Sequence, residues 1–262
     1  MVERTLPDYE NPPVVETALG VRFAPIPGWN ILHFGKLLQA YKEWYPKLEL
    51  KPPVGGVEFQ LNPNAESFDL PLRLWLIASE GSQLIQVQHN FFMRNWRKTA
   101  ENAKYTHYEK VKPLFSRDWN VFCAFLDSEA LPRPDIWQWE VTYINHVPRG
   151  QGWDTPRDLE RLFLLWRDAK LGAPLESPET GSFTVSYALA GGNRLQFVGQ
   201  PAIRRIDGAE VFQLTITATG KPADSSLENL MASLDEGRAN VVNGFTAFTT
   251  EEAQKKLWRR IQ

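Results

Sequence analysis

Four histidines, His33, His89, His107 and His146, and one cysteine, Cys123, are the side chains best suited to metal ligation. No two of them lie within one helical turn, so the H-E-x-x-H and C-x-x-C arrangements that hold a zinc ion are absent. A single thiol also excludes an internal disulfide framework. Gly191-Gly192-Asn193 stands between two alternating runs rather than between a strand and a helix. It reads as a hairpin turn, not as a loop that cradles phosphate at a helix N-terminus. Cys123 sits among Phe122 and Phe125, where a thiol behaves as a small buried hydrophobe. No serine occupies a G-x-S-x-G elbow, and Asp235-Glu236 and Glu251-Glu252 read as helix caps or solvated helix faces. A triad assembled from distant residues leaves no signature at this level. The expectation is a protein with no cofactor and no metal, non-enzymatic in character.

The run Phe91-Phe92-Met93-Arg94-Asn95-Trp96-Arg97-Lys98 combines rings with cations. Arg94, Trp96, Arg97 and Lys98 could form a stacking platform for single-stranded nucleic acid. The competing reading places Phe91 and Trp96 in the core, with Arg94, Arg97 and Lys98 solvated at a strand end. The chain also carries 10 Trp, 15 Phe and 7 Tyr, enough to build both a large core and an aromatic-walled pocket or protein interface. Trp137, Trp139, Tyr143, Tyr187 and Arg94 are the candidates to line such a pocket.

The elements that must position these residues follow from periodicity. Val14–Phe23 lies between prolines and reads as a strand, with Gly20 marking a bulge or a close backbone approach. Gly28 to Tyr45 has helical spacing and stops at Pro46. Residues 51–69 are rich in Pro and Gly and read as a long loop. Two strands around Leu72–Ile77 and Ile85–Gln88 flank the turn Glu80-Gly81-Ser82. Thr106 and Glu109 form a capping pattern ahead of a helix interrupted or delayed by Pro113. Ile136–Val147 alternates, placing Trp137, Trp139, Val141 and Tyr143 on one face. Thr155, Pro156 and Asp158 open a further predicted helix running to Lys170. Three strands follow over 183–219, joined by Gly191-Gly192-Asn193 and Asp207-Gly208. Ser225 with Glu228, and Thr249 with Glu252, then cap a helical tail.

This order predicts an α+β fold: antiparallel sheets of hairpins with long amphipathic helices packed on one face. It also predicts two similar halves, 1–150 and 151–262, with one continuous domain as the alternative. With Lys+Arg at 29 and Asp+Glu at 31, the formal charge of -2 disfavours bulk attraction to nucleic acid or an anionic membrane. The polar start has no signal-like apolar core, and no window approaches the roughly 18 apolar residues of a membrane span. These features, with the single thiol, predict a cytoplasmic protein that does not engage a membrane.

Tyr9-Glu10-Asn11-Pro12-Pro13-Val14-Val15-Glu16, Gly20-Val21-Arg22-Phe23, Asn95-Trp96-Arg97, Tyr108-Glu109 and the ending Phe245-x-x-Phe248-Thr249 through Trp258 together resemble a known pattern. It is that of a sporadically distributed, uncharacterised bacterial protein family of about this length. The likeness spans nearly the whole chain as scattered short motifs, and no catalytic residue is carried over from it. Asp235-Glu236-Gly237-Arg238 stands where a histidine is expected in that pattern. The resemblance implies an accessory gene of the kind found in defence and toxin–antitoxin systems. The functional expectation is a protein-interaction module, bound to another protein or to itself. The alternative is a small-ligand-binding protein or enzyme with an aromatic-lined pocket.

Overall fold

A computed structural model describes residues 6–54, 72–100, 103–167, 172, 174–175 and 177–262. Nine strands are present among them: β1 (Val14–Phe23), β2 (Lys47–Lys51), β3 (Arg73–Ile77), β4 (Gln83–Gln88), β5 (Phe91–Arg97), β6 (Ile136–Pro148), β7 (Phe183–Ala188), β8 (Arg194–Ile203) and β9 (Glu210–Gly220). They form one antiparallel sheet in the order β2-β3-β4-β5-β1-β6-β9-β8-β7. The helices are α1 (Ile31–Tyr41), α2 (Tyr108–Ser128), α3 (Leu227–Phe248) and α4 (Glu251–Lys256). The fold is therefore α+β.

Period-2 alternation splits every central strand into two faces. Leu19, Val21 and Phe23 of β1 share one face with Phe92, Arg94 and Trp96 of β5, and with Val141 and Tyr143 of β6. The helices lie against this face. Phe115, Trp119 and Phe122 of α2 meet Phe92 and Phe23 at ring separations of 5.3–6.2 Å. α3 packs on β6 and β9 and approaches closely at Gly237, where an added Cβ would come 2.7 Å from Trp139 and Val141. The other face is open and largely polar. A small cluster of Ala18, Phe91 and Met93 is the exception. Gly20 belongs to it through a close approach, since a Cβ there would fall 2.9 Å from the Met93 methyl.

Several expected boundaries move. The helix read over Gly28–Tyr45 is only α1, opened by Asn30, whose side chain accepts from Leu32 N while His33 Nδ1 accepts from Asn30 N. α2 starts at Tyr108 with His107 as cap rather than Thr106, and Pro113 is accommodated inside it. The helix expected to run from Thr155 to Lys170 is a six-residue 3-10 turn, Pro156–Arg161, and Lys170 lies outside the described residues. Ser226 and Thr250, each one residue later than expected, cap α3 and α4. Ser225 instead accepts from Ile136 N, tying the α3 entrance to β6. The Pro/Gly-rich loop read over 51–69 falls largely outside the described residues.

The most consequential difference is a register shift at the β1–β6 edge. Arg22 pairs with Gln138 but Phe23 pairs with Ile136, so Trp137 is an extra residue. A bulge of this kind turns its extra side chain off the alternation. Ile136 takes the inward position and Trp137 is 51% exposed, so Trp137 does not share the face of Trp139, Val141 and Tyr143. A second shift, between Val14 and Glu16, makes Val15 the extra residue of β1.

Candidate functional site

The Phe91–Arg97 run is β5, and alternation divides it between the two faces of the sheet. Arg94 and Trp96 point to the helices and are buried. Arg94 Nε donates to Asp118 Oδ2 at 3.0 Å, and Arg94 Nη2 to Gln83 Oε1 at 2.6 Å. The same Asp118 carboxylate accepts from the Tyr45 hydroxyl and from Arg117 Nε and Nη2. Burial pushes the Tyr45 phenol well up, so it stays a neutral donor. This is a charge-assisted network inside the core. It removes Arg94 from solvent, and Trp96 packs edge-on to Tyr105 at 5.4 Å.

Arg97 faces the opposite, open side. There a directed ladder of hydrogen bonds crosses four strands. Arg73 Nη1 and Trp75 Nε1 both donate to Gln86 Oε1 at 3.0 Å. Gln86 Nε2 donates to Asn95 Oδ1 at 2.8 Å, and Asn95 Nδ2 to Glu16 Oε1 at 2.6 Å. Every donor points toward Glu16. Burial nevertheless raises the Glu16 carboxyl above its ordinary range, opposed by the Asn95 bond and the nearby Arg97 charge. Lys51, Arg73 and Arg97 all lie over the Trp75 ring, 4.8–5.7 Å from its centroid.

Glu16 opens into a cleft at one end of the sheet. Its floor is Val15, Glu16, Ile144, His146 and Gln213 from β1, β6 and β9. The β1 bulge puts the adjacent residues Val15 and Glu16 there together. One wall is the end of β5, Arg97–Thr99, and the other is the β8–β9 hairpin, Ile203–Ile206. The space measures about 1370 Å³, including the part continuous with solvent. Arg97 Nε is fixed on Gly81 O at 2.9 Å, and Arg204 is forked onto Asp207. Lys98 and Arg205 have no ion-pair partner among the described residues. Ile203 and Ile206 are exposed beside them. His146 Nε2 donates to Gln213 Oε1 at 3.2 Å, because the Gln213 amide nitrogen is engaged with Thr215. Its Nδ1 is then an acceptor, buried and without a partner. Burial pushes the His146 pKa down, favouring this neutral form.

The remaining candidates disperse. Trp139 is core beneath α3. Tyr143 is buried and lines a separate, narrower cavity. Tyr187 is 43% exposed on β7, the edge strand, and Trp137 is exposed on its bulge. The five residues expected to line one aromatic pocket therefore do not meet. Sequence reasoning missed Glu16, His146 and the 203–206 hairpin as one site, because their proximity is a product of strand order. Asn95 and Gln86 carried no signal beyond being polar on apolar strands. Among the described residues no group of His, Cys, Asp or Glu could hold a metal ion. No described helix is long and apolar enough to cross a membrane. No protein-family model and no curated protein matches the chain.

Proposed function

We propose that the protein is a non-enzymatic protein-interaction module whose open-face cleft receives an acidic segment of a partner protein. The observation that carries this reading is the concentration of Arg97, Lys98, Arg204 and Arg205 around one carboxylate, Glu16, in a chain of formal charge -2. Such a patch steers an acidic partner and selects against basic ones. Exposed Ile203 and Ile206 give that partner apolar anchorage beside the charges. Membership of a bacterial accessory or defence assembly of toxin–antitoxin type is part of the proposal and rests on the family resemblance.

Two similar halves are also part of it, divided ahead of β6 rather than at the expected boundary after residue 150. β1, α1, a meander and α2 are followed by β6, a 3-10 turn, a meander and α3, and β1 and β6 adjoin at the centre of the sheet. This order supports an ancestral duplication with both long helices on one face.

The test is native mass spectrometry of the protein isolated gently from its own host, beside the double variant Lys98→Glu/Arg205→Glu. A stoichiometric protein partner held by wild type and lost from the variant supports the reading. A partner held equally by both, or the absence of any, overturns the cleft as its docking site. Tight binding of a single-stranded oligonucleotide that is lost in the same variant also overturns it, in favour of a nucleic-acid reading.

A further inference from the structure

A second cavity lies on the helix side of the sheet, behind the same strands whose other face floors the cleft. Its empty space is about 560 Å³, including the part continuous with solvent. The N-terminal segment (Pro7, Asp8, Tyr9, Pro12, Pro13) closes one side, and Val241, Val242 and Phe245 of α3 the other. Ile216, Asn145 and Tyr143 form its base, with Tyr105, His107 and Arg238 at the rim.

Two donors at this cavity keep unfilled capacity, although the Arg238 guanidinium lies within hydrogen-bonding reach of the Tyr143 oxygen. Arg238 Nη2 is paired with Glu109 Oε1 at 2.7 Å, and its guanidinium lies 5.0 Å over the Tyr108 ring. Its Nε is buried and has no hydrogen-bond partner. The Tyr105 hydroxyl donates to the Tyr143 hydroxyl at 3.1 Å. Tyr143 has therefore used its oxygen as an acceptor, and its own proton has no acceptor among the described residues. Leaving a buried donor unmade costs about 1–3 kcal/mol, so a site that keeps two is arranged for an acceptor brought from outside.

The charge balance decides what kind of acceptor. Glu109 already neutralises Arg238, and Asp8 adds a negative wall. A carboxylate would meet that wall without a free cation to offset it. A carbonyl oxygen takes both donors without bringing charge. The remaining lining is mainly apolar, with Asn145 and His107 as polar exceptions, as in ligand pockets with a few convergent polar groups.

We propose that this cavity binds a small uncharged molecule that presents a carbonyl oxygen to Arg238 Nε and the Tyr143 hydroxyl, with its apolar body against Val241, Phe245 and Ile216. Its bound carbonyl is polarised by both donors.

The experiment titrates the full chain with 2-heptanone and with heptanoate, by calorimetry, and records the ketone carbonyl stretch of the complex by infrared difference spectroscopy. Expected is saturable ketone binding, heptanoate at least about tenfold weaker, and a carbonyl band shifted to lower frequency. Tyr143→Phe keeps the ring and should weaken ketone binding by roughly threefold to tenfold, the worth of one hydrogen bond, and reverse part of the band shift. Val242→Trp, at a half-buried wall position, should abolish binding while the fold is retained. No ketone binding at millimolar concentration, equal binding by Tyr143→Phe, or tighter binding of heptanoate would each overturn the assignment. None of these outcomes bears on the open-face cleft.

Discussion

Arg94 Nε and Asp118 Oδ2 lie 3.0 Å apart with side-chain exposures of 1% and 0%, a buried ion pair joining the middle of the sheet to α2. Asp118 is the hub, because Arg117 and Tyr45 converge on the same carboxylate. Asp118→Ala strands the Arg94 guanidinium in the core and should cost about 3–5 kcal/mol. The double variant Arg94→Met/Asp118→Leu removes both buried charges and should cost less than Asp118→Ala alone, since partly exposed Arg117 returns to water. Urea unfolding of the two variants beside wild type decides it. A double variant less stable than the single one would show that the pair is net stabilising beyond mutual neutralisation.

Glu16 makes stability depend on pH in an unusual direction for a carboxylate. Burial raises its folded pKa above the ordinary 4.5, so folding favours the protonated form. The contribution is fully present below the unfolded pKa and is lost as pH rises through the folded value. Glu16→Gln retains an amide oxygen for Asn95 and cannot ionise. The variant should gain on wild type as pH rises from 4.5 upward, and the gap should level off once Glu16 is fully ionised. Denaturant unfolding at a series of pH values measures this, and a gap independent of pH would contradict it.

Gly237 stands in the interior of α3, where alanine would ordinarily stabilise a helix. Here an added Cβ meets Trp139 and Val141 at 2.7 Å, both buried and neither at the end of a flexible side chain. Gly237→Ala should therefore destabilise by about 1–3 kcal/mol, the usual cost of overpacking. Thermal unfolding would read it as a lowered Tm. An unchanged or raised Tm would mean that α3 can move off β6 freely.

The β6 bulge separates two tryptophans that are only two positions apart. Trp139→Ala empties a core site and should cost about 3–5 kcal/mol. Trp137→Ala removes an exposed ring and should stay within about 0.5 kcal/mol of wild type. Equal costs for the two would place Trp137 in the core and the register shift in error.

The amino-acid pattern by itself determined the strands and turns. Alternation located β1, β3, β4, β6, β7, β8 and β9, and Asp207-Gly208 located a tight hairpin, since Gly208 adopts φ +74°. Those signals are local: side-chain period and turn chemistry act within a few residues. It also determined that no metal, nucleotide or nucleophile motif is written along the chain. Helix extents were less legible. Helical spacing extends past Tyr41 and Arg161, but the chain leaves the helix there because tertiary contacts outweigh weak propensity.

Only the tertiary structure decided what each candidate does. Arg94 reads as a solvated cation until β5 is placed between β4 and β1 beneath α2, where Asp118 meets it. Trp137 reads as a partner of Trp139 until one extra residue in the register turns it outward. Glu16 and His146 are 130 positions apart and share a cleft floor because β1 and β6 are neighbours. Strand order depends on which faces bury together and how loops close, and those energies belong to the assembled core rather than to any segment.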